Sequence, residues 1–442
     1  MTPSASDLWF LPLGGCGEIG MNMSLYGHDG RWLMVDCGIG FDRHSADTRI
    51  ITAMPDFIAA RHDRLDALLV THAHEDHVGA VADHWPELRC PVFCTRFTSE
   101  ILSRKLGEAG LLGVVPVHVV ETGERRSVGG FDIEWVALTH STPESHALVI
   151  RTPAGNVFHT GDWKLDPEPV VGEVFDEARY RRIGDEGMTA MVCDSTNATV
   201  EGRSPSEGAL YRGLLDQVRS ATGRVVVACF GSNVARLTTL AKVAAATGRY
   251  PGLLGRSLAN YYRAARASGL WRLEQELVPA AHLGYLPARE VFAIATGSQG
   301  ERGAALSRLA ARDHPDLDLE AGDTVIFSSR VIPGNERALE GLDVRLRAMG
   351  VYVIHDTDDQ SPIHASGHPA RDELRDMYRW IRPQIALPVH GEGHHLDAHA
   401  LLARELEVPV QLNGRNGDLY MLAPQPGVRR AAVPVGRIVL RR

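Results

Sequence analysis

The segment Thr71-His72-Ala73-His74-Glu75-Asp76-His77 follows directly on the apolar run Leu65-Asp-Ala-Leu-Leu-Val70, and no packing rule accounts for it. Three imidazoles and a carboxylate this close together bring almost no apolar surface, and each buried ring needs its own hydrogen-bond partner. Metal coordination accounts for them. A loop at the end of a strand turns successive side chains toward different points, so His72 and His74 can grip one divalent ion while Asp76 and His77 grip a second about 3.5 to 4 Å away. A solvent-exposed histidine cluster is the bland alternative.

Two ions need more ligands than this loop holds. His140 in Leu138-Thr-His-Ser-Thr-Pro-Glu144, Asp162 in His159-Thr-Gly-Asp-Trp-Lys164 and His390 in Leu387-Pro-Val-His-Gly-Glu392 each stand at the end of an expected strand, where open α/β sheets gather functional side chains. One histidine ending a strand is more often structural. Three such residues beside the cluster reverse those odds.

The rest of the chain supports an α/β reading. Short apolar runs alternate with glycine-rich turns from Leu8 to about Thr199, as in Trp32–Asp36 and Phe131–Val136, and Ala147–His159 reads as a hairpin turning at Pro153–Asn156. Helix-length segments separated by strands follow: Gly208–Thr222, Val225–Phe230, Ala235–Thr247, Ser257–Gly269 and Val291–Thr296. That pattern predicts a parallel sheet with crossover helices, inserted at about 206–350. From Val351 the expected order is strand, helix, strand, helix (Val351–Ile354, Ala370–Ile381, Gln384–Val389, His394–Leu406), and the basic end Val428–Arg442 reads as a solvated tail.

At 442 residues the chain has room for more than one core. Its six cysteines, Cys16, Cys37, Cys90, Cys94, Cys193 and Cys229, form no dense framework, which favours a reducing, cytoplasmic setting. Cys90 and Cys94 read as buried strand residues rather than a zinc pair. The start lacks a signal-peptide pattern, and no apolar run reaches the length of a membrane span. A net charge of -9 argues against coating nucleic acid through a basic surface, though not against handling it in a channel beside cations.

Gly15-Cys-Gly17-Glu-Ile-Gly20 matches a dinucleotide fingerprint, but the following Met21–Tyr26 alternates apolar and polar residues as a strand does, where that motif demands a helix. Instead, His-x-His-x-Asp-His, a later histidine and Thr-Gly-Asp together resemble the metallo-β-lactamase superfamily. Asp194-Ser-Thr-Asn-Ala198, His364-Ala-Ser-Gly-His368 and Pro388-Val-His390-Gly-Glu392 resemble the motifs of its β-CASP nucleases. Gly15–Met23, Phe230–Arg236, Gly255–Leu258, Thr296–Glu301 and Ile332–Glu336 narrow the resemblance to the ribonuclease J family, across nearly the whole chain. Two departures stand out: the family's C-terminal domain is not expected here, and Arg302 replaces an expected proline.

The resemblance implies a four-layer αββα metallo-β-lactamase fold (1–205 and 351–442) interrupted by an α/β β-CASP domain (206–350), cutting RNA by a two-metal hydroxide mechanism. By resemblance, His72, His74 and His140 hold one ion and Asp76, His77 and His390 the other, zinc before manganese, with Asp162 bridging. Asp36 and Asp194 orient from behind, and His368 binds the scissile phosphate or protonates the leaving group. Ser232, Asn233, His364, Ser366, Gly367 and His368 resemble a pocket for a 5′-monophosphate, implying a 5′-3′ exonuclease with endonuclease activity on single-stranded RNA, with a homodimer among the expectations. The competing readings are a thioester or lactone hydrolase of the same superfamily, a non-catalytic scaffold, and a DNA substrate.

Overall fold

Along Arg31–Val35 the side chains alternate between two apolar layers. Trp32 and Met34 pack with Ile58, Val81, Phe97 and Ile101, while Leu33 and Val35 pack with Ile133, Trp135, Leu148 and Val192. The computed structural model describes residues 1–42, 49–332, 334–356 and 361–440, so Pro333 in the Ile332–Glu336 motif and the last residues Arg441 and Arg442 lie outside the described residues.

Two sheets meet across the second of those layers. Among the described residues, one is eight-stranded, in the order Gly427–Arg429, Leu419–Ala423, Leu8–Gly14, Met23–His28, Arg31–Val35, Leu65–Leu69, Val92–Cys94, Val117–Val119. The other is seven-stranded, in the order Val410–Gln411, Ile385–Val389, Ala190–Asp194, Gly155–His159, His146–Thr152, Phe131–Ala137, Arg125–Val128. Helices Val81–Leu88 and Arg96–Glu108 cover the outer face of the first sheet. Helices Glu177–Asp185, Arg371–Ile381 and Gly393–Glu405 cover that of the second. The result is the expected αββα layering.

Strand direction gathers the site. Phe131–Ala137 runs antiparallel to His146–Thr152, which runs antiparallel to Gly155–His159; that strand is parallel to Ala190–Asp194 and, through it, to Ile385–Val389. The ends of those four strands that run the same way therefore share one edge and deliver His140, Asp162, Asp194 and His390 there. Thr71 joins this edge from the first sheet, its carbonyl accepting from His146 N at 3.1 Å.

Among the described residues the insert holds a five-stranded parallel sheet in the order Tyr250–Leu254, Val291–Ala295, Val225–Ala228, Thr324–Phe327, Tyr352–His355. Val226, Ala228, Ala293 and Ala295 face one apolar layer and Val225, Val227, Phe292 and Ile294 the other, as expected of a parallel sheet covered on both sides.

Two expectations need correction. In sequence Val351–Ile354 reads as the start of the returning lactamase half, but Tyr352–His355 hydrogen-bonds to Thr324–Phe327 and completes the insert's sheet; an edge strand carries no sequence mark of which sheet it joins. The basic end is not simply a solvated tail. Gly427–Arg429 forms the edge of the eight-stranded sheet, and Arg437–Val439 pairs with Arg49–Ala53 in a third sheet completed by Ile39–Asp42. Backbone pairing holds these segments despite their arginines.

Gly15, Gly17 and Gly20 form a loop rather than a helix start, with φ of 82°, 86° and 94°. All six cysteines are buried and free, and neither Cys90 nor Cys94 joins a metal-ligand group among the described residues. No helix among the described residues is long and apolar enough to cross a membrane.

Candidate metal centre

Two groups of side chains share one carboxylate at the common edge. His72, His74, His140 and Asp162 form the first and Asp76, His77, Asp162 and His390 the second, with the candidate ligand atoms of each group lying within 4.8 Å of one another. The strands alone do not aim them. His390 has φ 51° and Asp36 has φ 62°, left-handed conformations that cost a non-glycine residue energy and collect at functional positions.

Hydrogen bonds behind the rings determine which nitrogens carry lone pairs. His140 Nδ1 donates to Gly367 O at 2.6 Å, leaving Nε2 as an acceptor 3.0 Å from His74 Nδ1. Thr71 Oγ1 donates to Asp36 and so accepts from His72 Nδ1 at 3.0 Å, which leaves His72 Nε2 as an acceptor 3.1 Å from His74 Nδ1. Three ring nitrogens thus converge with at most one proton among them. Asp162 Oδ1, also buried, has no hydrogen-bond donor among the described residues. Convergent lone pairs and an orphaned carboxylate oxygen are what a cation satisfies, and imidazole nitrogen with carboxylate oxygen is a donor set that zinc-like divalent ions accept.

In the second group His77 Nδ1 donates to Asp36 Oδ2 at 2.7 Å, and His77 Nε2 lies 3.2 Å from Asp162 Oδ2 and 3.6 Å from Asp76 Oδ2. His390 Nδ1 donates to Asn22 Oδ1 at 2.9 Å, directing Nε2 toward Asp76 Oδ2, 3.8 Å away. Asn22 also places Nδ2 3.0 Å from His77 Nε2 and 3.0 Å from Asp76 O, so one amide touches three members of this group.

Burial, with neighbouring imidazoles, holds His72 and His140 well below the usual histidine pKa. Burial likewise brings His74 down to about 4. These rings are neutral, the form that coordinates. Burial opposes charge on His77 too, but the carboxylates of Asp162, Asp76 and Asp36 together hold it above its ordinary value. For Asp162, burial favours the acid, yet His390, His77 and His368 keep it ionised.

Asp162, Asp194 and His368 form a third, adjoining group. Asp194 Oδ1 accepts from Thr196 N at 2.8 Å, and Oδ2 lies 2.7 Å from His368 Nδ1. Burial would lower the pKa of His368, but Asp194, with Asp162 and Asp76 beyond it, raises it to about 9.

The expected phosphate-binding residues are arranged unevenly. Gly367 packs so closely on His140 that a Cβ there would lie 2.7 Å from the ring. Ser366 Oγ accepts from Asn197 Nδ2 at 2.9 Å. His364 is buried against Ser328 O at 3.4 Å, and burial with the Arg236 charge brings its pKa down to about 3. Ser232 is half-buried, with a hydroxyl free of hydrogen bonds among the described residues. Asn233 is already engaged: Oδ1 caps helix Val234–Ala246 by accepting from Arg236 N at 2.7 Å, and Nδ2 donates to Glu207 at 3.1 Å.

Asn22, Glu207 and Arg236 were not singled out from sequence. Asn22 lies two residues beyond the Gly15–Gly20 fingerprint, in a segment that reads as a strand. Arg236, fully buried, bonds Glu207 at 2.8 Å and Ser328 O at 2.7 Å, tying the Ser232–Asn233 loop to the strand end beside His364. Its signals in the sequence are a basic residue on an otherwise apolar helix face and its place at the end of the Phe230–Arg236 segment.

Known proteins resemble this chain along nearly its whole length. The description "Beta-lactamase superfamily domain" matches residues 31–180, "Ribonuclease J, beta-CASP domain" residues 222–343, and "Zn-dependent metallo-hydrolase RNA specificity domain" residues 361–412. The chain is 45% identical to a ribonuclease J of Sinorhizobium meliloti over 98% of its length and 77% of the relative's. It is 38% identical to one of Mycobacterium tuberculosis and 34% identical to one of Thermus thermophilus, in each case over 96% of this chain and 76% of the relative. A crystal structure of a protein of unknown function from Enterococcus faecalis shares the fold, with a TM-score of 0.63, 15% identity, and coverage of 94% of this chain and 100% of that one.

Proposed function

The chain belongs to the ribonuclease J family and is a metal-dependent ribonuclease of RNA processing; from that membership we propose how its residues divide the work. His72, His74 and His140 would hold one divalent ion and Asp76, His77 and His390 the other, with Asp162 a member of both groups. The sharing of Asp162 by two ligand groups is the observation that carries this reading. The nitrogen-rich donor set favours zinc over manganese. Divalent ions held by these residues would supply a water with its pKa lowered toward about 7 and would offset charge on the phosphoryl oxygens.

The remaining steps belong to the protein's own side chains. Asp36 orients His77 directly and His72 through Thr71, and Asn22 orients His390. Asp194 keeps Nδ1 of His368 engaged, which leaves Nε2 to hold a proton for the leaving oxygen or to bind the scissile phosphate. Ser232, Ser366, Gly367 and His364 receive a 5′-monophosphate, with Asn233 shaping the loop rather than donating from its amide. RNA is then removed from its 5′ end, with internal cuts as a second mode. Residues 1–205 and 356–442 form the catalytic domain and 206–355 the β-CASP domain, since the strand Tyr352–His355 pairs within the insert's sheet. The enzyme works in the cytoplasm.

The test compares 5′-monophosphorylated RNA, 5′-triphosphorylated RNA and single-stranded DNA as substrates, beside an Asp76→Asn variant. Zinc- or manganese-dependent RNA decay, faster from the monophosphate end and abolished in the variant, is expected. Equal activity in the variant contradicts the assignment.

A further inference from the structure

In His72-Ala73-His74-Glu75-Asp76-His77 the ligands alternate with two residues that bind no ion, and both of these are held from outside the loop. The buried carbonyl of Ala73 accepts a hydrogen bond from Tyr261 Oη at 2.8 Å, and no backbone N–H reaches it among the described residues. Tyr261 belongs to the insert. It lies on helix Arg256–Ala267, whose Tyr261, Ala264 and Ala265 join Phe97, Ile101 and Leu102 of helix Arg96–Glu108 in one apolar core, with the Tyr261 and Phe97 ring centroids 6.2 Å apart. The second free position, Glu75, has both carboxylate oxygens 2.7 Å from Nζ of Lys105 on that same helix. Lys105 is buried, as a lysine seldom is unless it is paired.

We infer that Tyr261 and Lys105 are positioning residues that grip the ligand loop at its two free positions, so that the insert completes the metal centre as well as enclosing the substrate. The alternative is that a buried tyrosine hydroxyl merely takes the nearest acceptor. Against it, this acceptor is a buried carbonyl flanked by two ligands and without another donor. Losing the hydroxyl leaves that carbonyl unsatisfied in the peptide that joins Ala73 to His74, between the two ligands. Burial, with the charges of Glu75 and Asp76 nearby, holds the Tyr261 hydroxyl well above its ordinary pKa, so it remains a donor throughout the working range. Metal retention and closure of the insert are thereby linked: whatever lifts helix Arg256–Ala267 from helix Arg96–Glu108 also loosens the His72–His74 pair.

This inference rests on the metal-centre reading, and one experiment separates their failures. The full chain is loaded with zinc, mixed with excess chelating dye, and the ions released are counted against time for wild type, Tyr261→Phe, Lys105→Met and Tyr262→Phe. Tyr262 is the neighbouring tyrosine, its ring packed on Trp271. Melting of each metal-free protein is measured in parallel. Tyr261→Phe is expected to release one ion on the order of tenfold faster, with Lys105→Met also faster, Tyr262→Phe unchanged, and metal-free melting of Tyr261→Phe close to wild type. Wild-type release rates in Tyr261→Phe, or faster release matched by an equal loss of metal-free stability, overturn the inference alone. A wild-type chain that takes up no zinc overturns the metal centre and this inference together.

Discussion

Asp194 Oδ2 and His368 Nδ1 stand 2.7 Å apart, beside the carboxylate that both ligand groups share. The pair couples the end of a central strand to the His364–His368 segment, which reaches back to the insert through Ser328, whose hydroxyl donates to Ile363 O at 2.6 Å.

The sign of its effect on activity follows. The Asp194 charge favours the protonated ring, so the imidazolium of His368 persists until pH rises through about 9. Asp194→Asn removes that charge and lowers the pKa of His368. The alkaline limb of the kcat profile therefore moves to lower pH, with kcat reduced on the order of 10²-fold or more. A profile that falls in height without shifting its alkaline limb contradicts a proton-holding role.

Asn22 is predicted to act on metal affinity rather than on stability. Asn22→Ala leaves His390 Nδ1 without its acceptor, and a lost partner behind a ligand typically costs about 10- to 100-fold in affinity. Zinc titration should show one weakened site, that of His77 and His390, with the His72–His74–His140 site close to wild type.

Gly367 is glycine for reasons of space. An alanine methyl there meets the His140 ring at 2.7 Å and Ser141 Oγ at 3.0 Å. Gly367→Ala is expected to displace His140, weaken the first ion site and lower activity at limiting zinc, with partial recovery in excess zinc. Full activity at limiting zinc contradicts this packing account.

Glu207 and Arg236 form a buried pair at 2.8 Å, each about 2% exposed or less. Glu207→Ala strands a buried guanidinium, which costs about 3–5 kcal/mol. Urea unfolding should show the midpoint fall accordingly; a loss within the range of an ordinary surface substitution contradicts it.

Legibility in the sequence followed chemistry more than geometry. His72, His74, Asp76 and His77 stand out because packing offers no use for them, and His140, Asp162 and His390 because each ends a strand. Asn22 and Tyr261 do not stand out, since an amide just beyond a glycine-rich run and a tyrosine on an amphipathic helix acquire their roles only through partners distant in sequence. The strands Tyr250–Leu254 and Thr324–Phe327 went unread. The first carries Pro251 and Gly252, which strand signals disfavour, and is tolerated because it forms the sheet's edge. Asn233 matched a motif, but its amide is spent on a helix cap and on Glu207, which composition cannot reveal.

Anomalous diffraction at the zinc edge from metal-loaded crystals tests the central claim most directly. Two peaks about 3.5 to 4 Å apart, with Asp162 between them, His72, His74 and His140 around one and Asp76, His77 and His390 around the other, are predicted. No peak among these seven side chains, or a single ion bound elsewhere, contradicts the account.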